Sequence, residues 1–173
     1  MTGLVVGILL ARSIHSVVAP VRDERSVADV VGVPVIPLAD AAIPIRIVDE
    51  AKAGPLAVVG SEPAISALVG ALENFLESED LLVLNRADLS VDSRTDATAE
   101  EQSVADAQAD REVVLLDASN FGSAWSQLSM QMAAATFVVL RRGERNAGQI
   151  DRFVHEVRSR ATTPVRVLLL PEA

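Results

Sequence analysis

Four consecutive aliphatic residues, Val113, Val114, Leu115 and Leu116, stand between Glu112 and Asp117. The run is too short for a helix, and a strand that is apolar on both faces belongs inside a parallel sheet covered by helices on each side. It is expected to be the central strand. Its carboxyl end is Asp117, and open α/β sheets bind their ligands outside the carboxyl ends of their strands. Asp117 is therefore the first residue to weigh for a site.

The same signal recurs along the chain. Residues 56–59, 81–84 and 137–140 are short apolar runs that read as further strands, and 165–170, apolar except for Arg166, closes the series. Between them lie helical spacings. Ile65, Leu68, Val69, Leu72, Phe75 and Leu76 mark one helix, and Ile150, Phe153, Val154 and Val157 mark another. Phe121, Trp125, Leu128 and Met132 recur at i, i+4, i+7 and i+11, a stripe read as core. A helix from about 97 to 109 has a weaker face, with Val104 its only large aliphatic residue. Strands alternating with helices through short turns specify an α/β domain, an open parallel sheet flanked by helices with right-handed crossovers, over residues 55–173.

Upstream the pattern loosens. Residues 23–31 read as a short helix ended by Gly32, and VPVIPLAD, with Pro34 and Pro37, as an extended edge segment. Residues 39–54 show no clear period and are read as a connection in which IRIV is a candidate strand. Residues 3–11, GLVVGILLA, are apolar but fall short of the roughly 20 that a spanning helix needs. Two readings of residues 1–18 stand open: a buried helix or strand, or the cytoplasmic end of a membrane helix with Arg12, Arg22 and Arg25 on the inner side. Residues 19–54 then form a connection to the α/β domain.

Composition excludes several chemistries. The net charge of −9 argues against nucleic acid as a partner, since phosphate backbones demand clustered cations. Cysteine is absent, which removes disulfides, thiol nucleophiles and thiolate metal sites. His15 and His155 are the only imidazoles, and no metal-ligand spacing is present. No G-x-S-x-G places a nucleophile, and Gly60 stands alone where a dinucleotide fold has G-x-G-x-x-G. Ser61 follows a strand on a tight turn, yet neither histidine is placed to serve it as a base. No catalytic residue and no metal ligand is assigned.

Two stretches carry a resemblance. APVRDERSVADVVGVPVIP, residues 19–37, resembles the segment just after the last transmembrane helix of polysaccharide chain-length regulators. Residues 101–170, with VVLLDASN and then AAATFVVLRRGERNAGQIDRFVHEVR, are similar to P-loop bacterial tyrosine kinases and their MinD-like relatives from the Walker B strand onward. The resemblance to polysaccharide co-polymerases and their kinases covers about half the chain. It implies a P-loop-like fold, a cytoplasmic location at the inner face of the membrane, a protein partner in polysaccharide assembly, and self-association.

The family's site residues do not carry over. A P-loop wraps phosphates with glycine backbone N–H groups, neutralises them with Lys and holds Mg²⁺ with Ser or Thr. Here the matching turn is GSEPAISAL, residues 60–68, with no Lys and with Glu62 in its place. The single Lys, Lys52, precedes the strand, and no Arg lies between Arg46 and Arg86. The chain has no Tyr, so the kinases' own phosphorylation target is absent. Asp117 sits at the Walker B position, where capping of the next helix is the plainer role. The expectation is a non-catalytic relative without a cofactor, in which Ser61, Asp88, Asp117 and Asn120 are vestigial ligand-site candidates. The alternative is a nucleotide-binding or hydrolytic enzyme using those four residues at the carboxyl edge of the sheet.

Overall fold

The structure, a computed structural model, describes residues 24–32, 35–37, 42–77, 79–85 and 97–171. The apolar N-terminal element, His15, Val33, Pro34 and Asp88 lie outside the described residues. Twelve elements follow in order: α1 Glu24–Val31, β1 Val35–Pro37, α2 Ala42–Ala51, β2 Leu56–Gly60, α3 Glu62–Glu73 and β3 Leu81–Leu84. Then come α4 Ala97–Asp110, β4 Val113–Asp117, α5 Ala124–Met132, β5 Ala135–Arg141, α6 Ala147–Arg160 and β6 Val165–Leu170.

All six strands join one parallel sheet in the order β1-β6-β5-β2-β4-β3. This is the α/β architecture that the alternating pattern specifies, three layers in a Rossmann-like arrangement. Alternation within each strand divides the core. Val113 and Leu115 of β4 pack with Ile47 and Val48 of α2 and Ile65, Leu68 and Leu72 of α3. Val114 and Leu116 face the opposite side, with Val104 of α4 and Trp125 of α5. On that same side Val138, Leu140, Val167 and Leu169 meet Val27 and Val31 of α1 and Ile150, Val154 and Val157 of α6. Helices α2 and α3 thus cover one face and the other four helices cover the opposite one. Neighbouring strands buried on both faces account for the unbroken apolar runs.

Three expectations are corrected. The strand Val113–Asp117 is not central: it lies between β2 and the edge strand β3, and β2 and β5 occupy the middle. Residues 42–51 form a helix rather than a connection with a strand at IRIV. Pro44 falls in its first turn, where proline is tolerated, and Ile47, Val48 and Ala51 supply a buried face between charged residues. Phe75 lies past the end of α3 and is 51% exposed, so the core face of that helix is Ala64, Ile65, Leu68 and Leu72. The extended segment with Pro37 does stand at the sheet edge, as β1 against β6. Among the described residues no helix is long and apolar enough to cross a membrane.

Candidate site at the carboxyl edge of the sheet

Strand order creates the crevice where α/β proteins hold ligands. The chain leaves β2 for α3 on one face, while the neighbouring strands β4 and β5 lead to α5 and α6 on the other. In open α/β sheets such a switch point is the usual place for a ligand, and here it falls at the carboxyl end of β2. Gly60 and Ser61 stand there, beside Asp117 at the end of β4 and the following loop that carries Ser119 and Asn120.

Hydrogen bonds within the protein occupy much of this edge. The Asp117 carboxylate accepts the Ser119 N–H at 2.9 Å, an Asx turn, and Ala118 N–H donates to the Val58 carbonyl at 2.9 Å. Gly60 N–H donates to Ser119 Oγ at 3.2 Å, which ties the end of β2 to the loop. Asn120 is exposed, and its carbonyl accepts the Ser123 N–H at 3.1 Å. Asp117 does not cap α5. Ser123 does, accepting the Ser126 N–H at 3.0 Å, because the loop runs several residues past Asp117 before the helix starts. Trp125 Nε1 donates to the Asp117 carbonyl at 2.9 Å, and Ser126 Oγ to the Ala118 carbonyl at 2.7 Å, locking α5 onto the end of β4.

The turn into α3 is a single residue. Gly60 ends β2, Ser61 is the N-cap, and Glu62 begins the helix. A phosphate cradle needs a loop of consecutive N–H groups between strand and helix. Here Pro63 has no N–H, and the Ala64 and Ile65 N–H groups both donate to the Ser61 carbonyl, at 2.9 and 3.0 Å. Gly60 is explained by packing, since a Cβ there would stand 2.7 Å from the Val139 carbonyl oxygen of β5. Lys52 lies before β2, at the opposite end of that strand. It donates to Asp49 at 2.7 Å, and this hydrogen bond, with the Asp49 charge, raises its pKa above the usual lysine value. Residues 60–65 therefore carry no Lys or Arg, and the Ala64 and Ile65 N–H groups are already taken within the protein.

Some features were not legible in the sequence. Ser119 is the residue that closes the edge, and only the β2–β4 pairing shows it. Arg141 and Arg142, at the end of β5, come to the same edge because β5 pairs with β2 in the middle of the sheet. The sequence distance of about 80 residues from Ser61 concealed this. Ser61 Oγ is buried and has no hydrogen-bond partner among the described residues. His155 is exposed on α6. Among the described residues no group of three or more His, Asp and Glu could hold a metal ion. Comparison with family models, with curated proteins and with solved structures found no match.

Proposed function

We propose that this chain is a non-catalytic, P-loop-like α/β domain that acts as a scaffold or regulatory partner. The observation that carries the reading is the one-residue passage from β2 into α3, with Glu62 and Pro63 where a phosphate cradle would need donors. A triphosphate there meets a carboxylate, and the attraction of a helix N-terminus, about 1 kcal/mol, does not offset that repulsion. Assembly of envelope or capsular polysaccharide at the inner face of the membrane is the process that the resemblance of residues 19–37 and 101–170 suggests for it. Calorimetric titration of ATP and ADP with Mg²⁺ tests the non-catalytic part. The expected result is no heat at millimolar nucleotide. Affinity tighter than ~100 μM, about −5.5 kcal/mol, that vanishes in Asp117→Ala would overturn it. Deletion in the source cell tests the assignment to assembly: an unaltered amount and chain length of surface polysaccharide removes it.

A second reading, a ligand-binding site at the carboxyl edge, draws on the unpartnered Ser61 hydroxyl and on the arrival of Arg141 and Arg142 at that edge. A small anion would suit those groups better than a nucleotide triphosphate. Saturable binding of inorganic phosphate, lost in Ser61→Ala, is the outcome that would favour it.

A further inference from the structure

Residues 141–166 contain seven arginines and three acids, a net of +4 in a chain of net −9. Arg152, Arg158 and Arg160 lie on α6, and Arg145 just before its N-cap. The Arg145 guanidinium lies 4.2 Å over the Phe153 ring, Phe153 stands 5.9 Å from Phe121 at 49°, and the Arg160 guanidinium lies 4.6 Å over Phe121. A pocket of about 230 Å³ opens beside this ladder, lined by Arg145, Gln149, Arg152, Phe153 and Glu156.

The lining carries two arginines, Arg145 and Arg152, against one acid, Glu156. Glu156 is held by Arg160 at 2.9 Å, and Glu144 approaches Arg145 only at 4.0 Å. Gln149 Oε1 accepts the Asn146 N–H at 3.0 Å as part of the capping box of α6. Arg152 is exposed and makes no ion pair among the described residues. A guanidinium stacked on a ring keeps its in-plane N–H fork open to a carboxylate, and stacking has already restricted its rotamers.

We infer that this face of α6 docks an acidic segment of a protein partner, with carboxylates on Arg145 and Arg152 and an apolar side chain against Phe153. Charge decides the class of partner. Screening limits exposed charges to about 8 Å at physiological salt, so a short acidic segment feels the basic face. A long nucleic acid or a flat anionic bilayer extends past it and meets the rest of the molecule, whose net charge is −13. This names an interface for the partner-binding reading and rests on it. Nucleotide titration tests that reading separately, so each can fail alone.

The test is fluorescence anisotropy with a fluorescein-labelled peptide of alternating Glu and Phe, against the full chain, at about 50 and about 300 mM salt. The expected result is micromolar binding that weakens with salt, falls roughly tenfold or more in Arg145→Glu/Arg152→Glu, and persists in Arg46→Glu. Arg46 is an exposed arginine of α2 and controls for overall charge. Circular dichroism confirms that the variants fold, and Arg152→Glu alone, a change at an exposed position, is expected to give a partial loss. Absent binding, equal loss in Arg46→Glu, or tighter binding to a single-stranded oligonucleotide or to phosphatidylglycerol vesicles overturns the proposal.

Discussion

A Cβ at Gly60 would stand 2.7 Å from the Val139 carbonyl oxygen and 3.2 Å from the Val139 Cβ, both on the central strand β5. Backbone in the middle of a sheet has little room to yield. Gly60→Ala is expected to lower stability by about 1–3 kcal/mol, the usual cost of overpacking, in a urea titration. An unchanged midpoint would show that the strands separate more easily than this packing implies. Met130 makes the opposite test. It is fully buried between α5 and the sheet, so Met130→Ala leaves a cavity and is expected to cost about 2–5 kcal/mol.

The helix N-termini offer a graded comparison at the scale of elements. Asn146 completes a capping box with Gln149, and Ser123 accepts the Ser126 N–H. Ser61 occupies the same position before α3 but makes no side-chain cap bond, and its hydroxyl is buried without a partner among the described residues. Asn146→Ala and Ser123→Ala should each cost about 1 kcal/mol in thermal or urea unfolding. Ser61→Ala should be neutral or slightly stabilising, because it removes a polar atom buried without a partner. A loss of 1 kcal/mol or more at Ser61 would point instead to a bound water or ligand in the crevice.

At the scale of the molecule, the described elements before residue 55 contribute to the core. β1 pairs with β6, α1 packs on α6, and α2 covers Val113, Leu115 and Leu168 on the opposite face. A chain starting at residue 55 would open β6 as an edge and uncover Leu168 and Leu170. It is expected to aggregate, or to melt well below the full chain, as read by calorimetry and light scattering. A cooperative transition at the full chain's temperature would place the domain boundary at residue 55 after all.

Much of this architecture is legible from side-chain type and spacing. Runs such as 113–116 and 167–170 announce buried parallel strands because only residues apolar on both faces suit that environment. The lone Gly60, the single Lys52 and the missing cysteines and tyrosines are facts of composition, and they bound the chemistry before any fold is known. Strand order is different, since it depends on which faces bury one another. That order moved β4 from the centre to beside the edge and brought Arg141 and Arg142 to the Ser61 edge. It also set Ser119 against Gly60, and packing set Phe121 against α6. The α2 helix is not legible in the sequence because its face is three small or aliphatic residues among charges, a pattern that gains meaning only once a sheet lies beneath it. Local chemistry was therefore decided by the chain, and the neighbours of each residue by tertiary packing, because burial rewards contacts without regard to their separation in sequence.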